Sequence, residues 1–268
     1  MLELIQITND PAFARRCDAL DGFRLVVDLE RLGKAERQAG RNTFISAHQP
    51  DDIGKIKQVL RRSPLMVRVN PVHDETPCEV EAALTQGANR LMLPMFTRAS
   101  EVREFTQLVA CRVPVTLLLE TAAAWECLEE WIATPGLDEV YVGLNDLHVS
   151  MGLRFMFEPL ALGSLDRIAA AVKRQRLRFG FGGIARLEEG LLSGRDVLAE
   201  HLRLGSGSVI LSRTFHRAEG GDSFEAEVAQ LRQAEAQLLQ RTRVQIEDDA
   251  RRIAALIQRI AAGLGPAA

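Results

Sequence analysis

Two acidic residues stand near the ends of two apolar runs in this chain of 268 residues. Glu120 follows VTLLL, and Asp146 follows VYVGL after one asparagine. An acid at the end of a buried strand loses hydration unless a partner compensates for it. If the two runs are neighbouring strands, a divalent cation between the carboxylates would remove their repulsion, and hard oxygen donors favour Mg²⁺ or Mn²⁺. The structural alternative is that each acid caps a helix or pairs with Arg68.

Other polar residues follow other apolar runs in the same way. An arginine offers several N–H donors to a carboxylate, and a histidine is a candidate proton acceptor. Paired glycines before a helix expose backbone N–H groups that can hold a carboxylate or phosphate. The candidates are the acids Asp28 and Glu30, the histidine His48, the arginine Arg68, and the glycines Gly182 and Gly183.

Short apolar runs that alternate with helical patterns would have to position these residues. The runs are LELIQIT (2–8), RLVVDLE (24–30), TFISAH (43–48), LMVRVNP (65–71), RLMLPM (90–95), VTLLLE (115–120), DEVYVGL (138–144), LRFGFGG (177–183) and SVILSRT (208–214). They are continuously apolar, which is typical of strands covered on both faces. Eight or nine such strands, with no GxGxxG after the first, favour an α/β fold of the (β/α)8 barrel type over an open sheet. The carboxyl ends of barrel strands form one rim, where the polar candidates would meet.

The pattern changes near residue 218. Residues 222–264 are rich in Ala, Gln, Arg and Glu and predict one or two helices. Leu239, Ile246, Ile253 and Ile260 recur every seven residues, and such an apolar seam needs another helix to cover it. We therefore predict a catalytic barrel over 1–218 and a helical extension over 222–264 that packs on a neighbouring subunit of a trimer or hexamer. Packing of the extension on its own barrel is the alternative.

Composition excludes several classes of partner. The net charge of −3 is spread along the chain without a basic block, so neither nucleic acid nor an anionic membrane is predicted. The four cysteines form no metal-binding or redox pattern and are expected to be reduced. The sequence has neither a signal-peptide pattern nor an apolar run near the ~20 residues that a membrane span needs, so a cytoplasmic protein is expected. Small molecules and copies of the chain itself remain as partners.

Four segments resemble the HpcH/HpaI aldolase and citrate lyase β-subunit family: VRVNP, ANRLMLPMFTRASEV, LLLET and PGLDEVYVGLNDLHVSMGL. The resemblance implies a metal-dependent (β/α)8 barrel that makes or breaks C–C bonds next to a 2-oxo acid or an acyl thioester. It implies that Glu120 and Asp146 ligate the metal, which would be Mg²⁺, Mn²⁺ or Co²⁺. It also implies that Arg68 contacts the carboxylate and enolate oxygens of a pyruvate-like unit and that Asp28 orders a metal-bound water.

The segment DLER departs from the family pattern. The pyruvate aldolases carry Asp-x-x-His there, and this chain has Arg31 at the histidine position. The citrate and malyl-CoA lyases carry Asp-x-Glu-Asp, which Glu30 matches in part. His48 and His148 are candidates for the missing base, and Glu30 with Arg31 could act through a bound water instead. Arg31 is also a candidate to bind an anionic tail of the substrate.

Three functions remain open at this point. The first is a metal-dependent lyase of aldolase type acting on a 2-oxo acid and an aldehyde. The second is an acyl-CoA lyase or thioesterase on the same fold. The third is a metal-binding oligomeric barrel without catalysis, which the missing histidine and the helical extension motivate.

Overall fold

The structure, a computed structural model, describes residues 1–34, 47–216 and 223–264. Its eight strands follow one another in chain order around a closed barrel, so the predicted (β/α)8 class is confirmed. The strands are β1 (Glu3–Ile7), β2 (Phe23–Asp28), β3 (Leu65–Arg68), β4 (Arg90–Leu93), β5 (Val115–Leu119), β6 (Leu137–Val142), β7 (Arg178–Ile184) and β8 (Ser208–Leu211). No helix in these three ranges has both the length and the apolar content needed to cross a membrane.

Helices connect most of the strands. They are α1 (Pro11–Asp18), α2 (Asp52–Val59), α3 (Thr76–Thr85), α4 (Ala99–Val109), α5 (Ala122–Glu126), α6 (Leu128–Trp131), α7 (Leu144–Ser150), α8 (Glu158–Ala161), α9 (Ser164–Arg174), α10 (Gly194–Leu204), α11 (Phe224–Leu238) and α12 (Arg243–Gly263), with a 3-10 turn at Arg213–His216. Of the predicted run TFISAH, residues 43–46 lie outside the described residues, and Ala47 and His48 belong to no strand.

The chain divides into two compact units, of which the first-half unit comprises Ile5–Tyr141. In this unit β2, β3, β4 and β5 pair in parallel, with Asp28 opposite Arg68. Every residue of β2 and β5 is buried, as their continuously apolar sequences predicted. The polar exceptions in composition are Arg24 and Asp28 in β2 and Thr116 in β5. The fully buried guanidinium of Arg24 pairs with the equally buried carboxylate of Glu139. Thr116 also donates to Glu139, at 2.9 Å, so the buried charges are hydrogen-bonded and their burial is compensated.

The second-half unit comprises Met1–Leu4 and Val142–Ala268. The two helices predicted for the extension are present as α11 and α12, and α12 packs on α8 and α10 of its own chain. Ile253 of the predicted seam is buried, Ile246 and Ile260 are half-buried, and Leu239 is 59% exposed. The boundary at 218–222 and the packing on a neighbouring subunit stay predictions.

Candidate functional site

The site in the first-half unit is built on the carboxyl ends of β2 and β3. Asp28 is the last residue of β2, and Arg68 is the last of β3, directly opposite in the parallel register. Arg68 Nε donates to Asp28 Oδ1 at 2.8 Å and Arg68 Nη2 donates to Asp28 Oδ2 at 2.7 Å. This two-point contact holds the plane of the guanidinium in one orientation.

Lys34 and Glu30 complete a four-membered charge cluster with Asp28 and Arg68. Lys34 Nζ lies 2.8 Å from Asp28 Oδ2 and 3.3 Å from Glu30 Oε2, while Arg68 Nη1 lies 3.4 Å from the same Glu30 oxygen. Asp28, Glu30 and Lys34 are each 2% exposed as residues, so the two acids are buried against two cations. Sequence reasoning missed Lys34. The only signal for it was its spacing four residues after Glu30, which permits an ion pair if the segment is helical.

The charges in this cluster decide which groups can take a proton. Burial alone raises the pKa of Asp28, but the charge and hydrogen bonds of Arg68, and then of Lys34, hold it far below its usual range. Burial lowers the pKa of Arg68, and the charge and hydrogen bonding of Asp28 raise it above its usual value. Asp28 therefore remains an anion and Arg68 a cation throughout the range in which enzymes work.

His48 lies against the same strand end in a defined tautomer. The backbone N–H of Asp28 donates to His48 Nδ1 at 3.0 Å, so the neutral ring carries its proton on Nε2. Burial lowers the pKa of His48, and the charge of Asp28 opposes this effect without reversing it. The side chain predicted as a base is thus placed as a hydrogen-bond donor through Nε2.

Asn70 fixes the loop that carries Arg31. Its Oδ1 accepts the backbone N–H groups of Arg31 and Leu32 at 2.8 and 3.0 Å, and its Nδ2 donates to Glu79 at 2.6 Å. The Arg31 side chain is exposed, and its Nη2 donates to the carbonyl of His48 at 2.8 Å. Arg31 therefore borders the cluster from the solvent side.

Glu120 lies directly after β5 and is 3% exposed. Its Oε1 accepts the backbone N–H of Met95 at 3.1 Å, and Met95 has the left-handed backbone angle φ 56 that a non-glycine residue rarely adopts. The charge of Glu120 also contributes to raising the pKa of Arg68. Within one unit, the structure therefore brings together Asp28, Glu30, Arg68 and Glu120 at the carboxyl ends of β2, β3 and β5.

Asp146, Gly182 and Gly183 belong to the second-half unit. Asp146 is half-buried in the first turn of α7, after the N-cap Gly143. Gly182 and Gly183 lie inside β7, where the pairing with β8 shifts between Gly180 and Gly183. The next described helix begins only at Gly194, so these glycines do not lead directly into a helix N-terminus.

The imidazole of His148 has the opposite arrangement to that of His48. Its Nδ1 lies 3.0 Å from the carbonyl of Leu144, which can only accept, so a neutral ring keeps Nε2 as an acceptor. His148 is half-buried in α7, two residues after Asp146.

The donors present fit a hard divalent cation. Glu120 is a buried carboxylate of the first-half unit, and Asp146 is a half-buried carboxylate of the second-half unit. Over 1–34, 47–216 and 223–264 there is no group of three or more His, Cys, Asp and Glu residues placed to hold a metal. Mg²⁺ does not need such a cage, because it is commonly held by one or two carboxylates together with water and substrate oxygens.

Comparison with known proteins identifies relatives of the chain. A family model described as HpcH/HpaI aldolase/citrate lyase matches residues 7–177. No curated protein matches the sequence significantly.

Solved structures of this kind share the fold. A HpcH/HpaI aldolase/citrate lyase family protein from Burkholderia cenocepacia J2315 aligns with a TM-score of 0.61 at 19% identity, over 89% of this chain and 93% of that one. The citrate lyase beta subunit from M. tuberculosis, complexed with oxaloacetate and magnesium, aligns with a TM-score of 0.60 at 17% identity, over 87% and 96%. Macrophomate synthase aligns with a TM-score of 0.58 at 16% identity, over 88% and 85%.

Proposed function

Because the chain belongs to the HpcH/HpaI aldolase/citrate lyase family, we propose that it is a divalent-metal-dependent lyase of aldolase type. The reaction forms or cleaves a C–C bond between the enolate of a pyruvate-like 2-oxo acid and an aldehyde. One observation carries this proposal: Arg68 is locked by Asp28 at the end of β3, and its charge interacts with the buried Glu120 after β5. A fixed cation beside a buried carboxylate is what an anionic, metal-chelating substrate requires.

Glu120 is the proposed metal ligand of the first-half unit, and Asp146 is the second ligand that the sequence predicts. The backbone N–H of Met95 donates a hydrogen bond to Glu120 Oε1, and this bond orients the carboxylate. A bound Mg²⁺ or Mn²⁺ would act as a Lewis acid on the oxygens of the 2-oxo acid. Magnesium is present in the M. tuberculosis citrate lyase beta subunit that shares this fold.

Arg68 is proposed to bind the carboxylate and enolate oxygens of the substrate. A guanidinium has five N–H donors, and those of Arg68 that do not face Asp28 or Glu30 remain for an anion. Charge that develops on the enolate oxygen strengthens these bonds in the transition state, and the prior orientation by Asp28 avoids a cost of reorganisation. Arg68 therefore contributes to the chemical step as well as to substrate binding.

His48 is proposed to donate a hydrogen bond from Nε2 to the oxygen of the aldehyde. Its Nδ1 already accepts the N–H of Asp28, so the ring offers a donor on its other side. We propose that the hydroxyl proton passes to solvent through a water ordered by Asp28, which releases one proton as it takes up another. Asp28 accepts a hydrogen bond from this water and stays an anion. Arg31, exposed at the border of the cluster, is proposed to bind an anionic tail of the substrate.

The test is exchange of the methyl hydrogens of pyruvate in D₂O, followed by proton NMR, because enolate formation alone produces it and the aldehyde need not be known. We expect exchange that depends on Mg²⁺ or Mn²⁺ and that Glu120→Gln abolishes. The matched control is Glu126→Gln, an exposed glutamate of α5, which should exchange like the wild type. If the wild-type protein binds no divalent metal by calorimetry and produces no exchange, the proposed function is wrong.

A further inference from the structure

We propose that Lys34 is a positioning residue that keeps the guanidinium of Arg68 available to an anionic substrate. It does so by neutralising part of the negative charge that Asp28 and Glu30 place beside Arg68. The inference rests on the proposed function, since the anion concerned is the carboxylate of the 2-oxo acid.

The count of charges supports this role. Asp28 and Glu30 supply two negative charges, and Arg68 alone would leave the cluster with one in excess. Lys34 is buried between the same two carboxylates and brings the cluster to neutrality. An anionic substrate then meets no net negative charge at this point.

The exposure of the side chains shows which member faces a ligand. Those of Asp28, Glu30 and Lys34 are 1–3% exposed, whereas that of Arg68 is 17% exposed. Arg68 is therefore the member of the cluster that an anion can reach. Lys34 acts from behind it and does not contact substrate.

The geometry shows what is lost without the ammonium group. Lys34 Nζ and Arg68 Nη2 both contact Asp28 Oδ2. Lys34 Nζ and Arg68 Nη1 both contact Glu30 Oε2. If Lys34 is removed, these two oxygens lose the ammonium group and keep their contacts with the guanidinium. More of its hydrogen-bonding capacity is then directed to Asp28 and Glu30, and less remains for a substrate.

The experiment measures oxalate binding by calorimetry in the presence of Mg²⁺ at pH 8. For Lys34→Met we expect about 10-fold weaker binding at pH 8, the order produced by loss of one charge near a partly buried anion site. Lys34→Arg should bind within about 3-fold of the wild type because it retains the charge.

Other charged groups that face the cluster are Arg31, His48, Asp52 and Glu120. They are present in every variant, so the ratio of variant to wild type reports the loss of Lys34. Lys173→Met, which removes an exposed lysine at the end of α9, is the matched control and should bind oxalate like the wild type. Lys34→Gln is measured in parallel and is used if the methionine variant does not fold.

Several outcomes overturn the proposal: wild-type affinity in the charge-removing variants, a loss in Lys34→Arg as large as that in Lys34→Met, or a wild type that does not bind oxalate. The two proposals fail separately. If oxalate binding depends on Lys34 but no methyl exchange occurs, the aldolase function is refuted and the positioning role of Lys34 stands. If methyl exchange occurs but Lys34→Met leaves oxalate binding unchanged, the positioning role is refuted and the aldolase function stands.

Discussion

Replacing Asp28 by asparagine tests whether the charge cluster is as tightly coupled as its geometry indicates. The carboxylate receives two hydrogen bonds from Arg68 and one from Lys34, and its residue is 2% exposed. Removing one partner of a buried ion pair costs about 3–5 kcal/mol. Because Arg68 is partly exposed and water can stabilise it, we expect about 3 kcal/mol, in the lower part of that range.

The pH dependence of this effect has a defined sign. In the unfolded chain Asp28 takes up a proton at a pKa of about 3.9, whereas in the folded chain its pKa is held well below that value. The carboxylate therefore contributes its full stability above that pH, and this contribution decreases as the pH falls below it. The difference in unfolding free energy between wild type and Asp28→Asn should be constant from pH 8 to 5 and should shrink at lower pH.

Urea denaturation at several pH values measures both quantities. The control is Asp21→Asn, which removes an ion pair of the same unit between Asp21 and Arg62 in which the Asp21 side chain is 72% exposed. Such a surface pair contributes no more than about 1 kcal/mol. A loss below about 1 kcal/mol for Asp28→Asn, or a loss equal to that of the control, would refute the view that Asp28 is the centre of a buried cluster.

Two further predictions concern a buried histidine and a strained backbone position. His201 is 0% exposed and stacks on Phe181, and its burial lowers its pKa to about 3. As the pH falls below about 6.5, His201 therefore takes up a proton in the unfolded chain before it does so in the folded chain. His201→Phe should be less stable than the wild type at pH 7. Because the wild type loses stability as the pH falls, this deficit should decrease by up to about 1.4 kcal/mol per pH unit below 6.5. Urea denaturation measures the deficit, and an unchanged value at pH 5 would contradict the assignment. Met95→Gly relieves the positive φ and keeps the N–H that bonds to Glu120, so we expect Mg²⁺ affinity by calorimetry within about 2-fold of the wild type. A much larger loss would mean that the side chain of Met95 acts on the site.

The sequence was informative where a residue's role follows from its position on a strand. Asp28 and Arg68 each end an apolar run, and neighbouring parallel strands place such ends side by side. The barrel class and the two C-terminal helices followed in the same way from apolar periodicity. Glu120 was recognisable because a charge next to a fully buried strand requires a reason.

The tertiary structure decided what depends on the direction of side chains in loops. Lys34 was not recognised as a site residue because its spacing from Glu30 permits an ion pair but does not show that the chain folds the ammonium group back between Asp28 and Glu30. His48 could be assigned to the site from its sequence position, but only the bond from the Asp28 N–H to Nδ1 defines the ring as a donor. Strand periodicity is a local property that the sequence states directly, whereas loop conformation and the tautomer of a ring depend on partners that only the folded chain brings together.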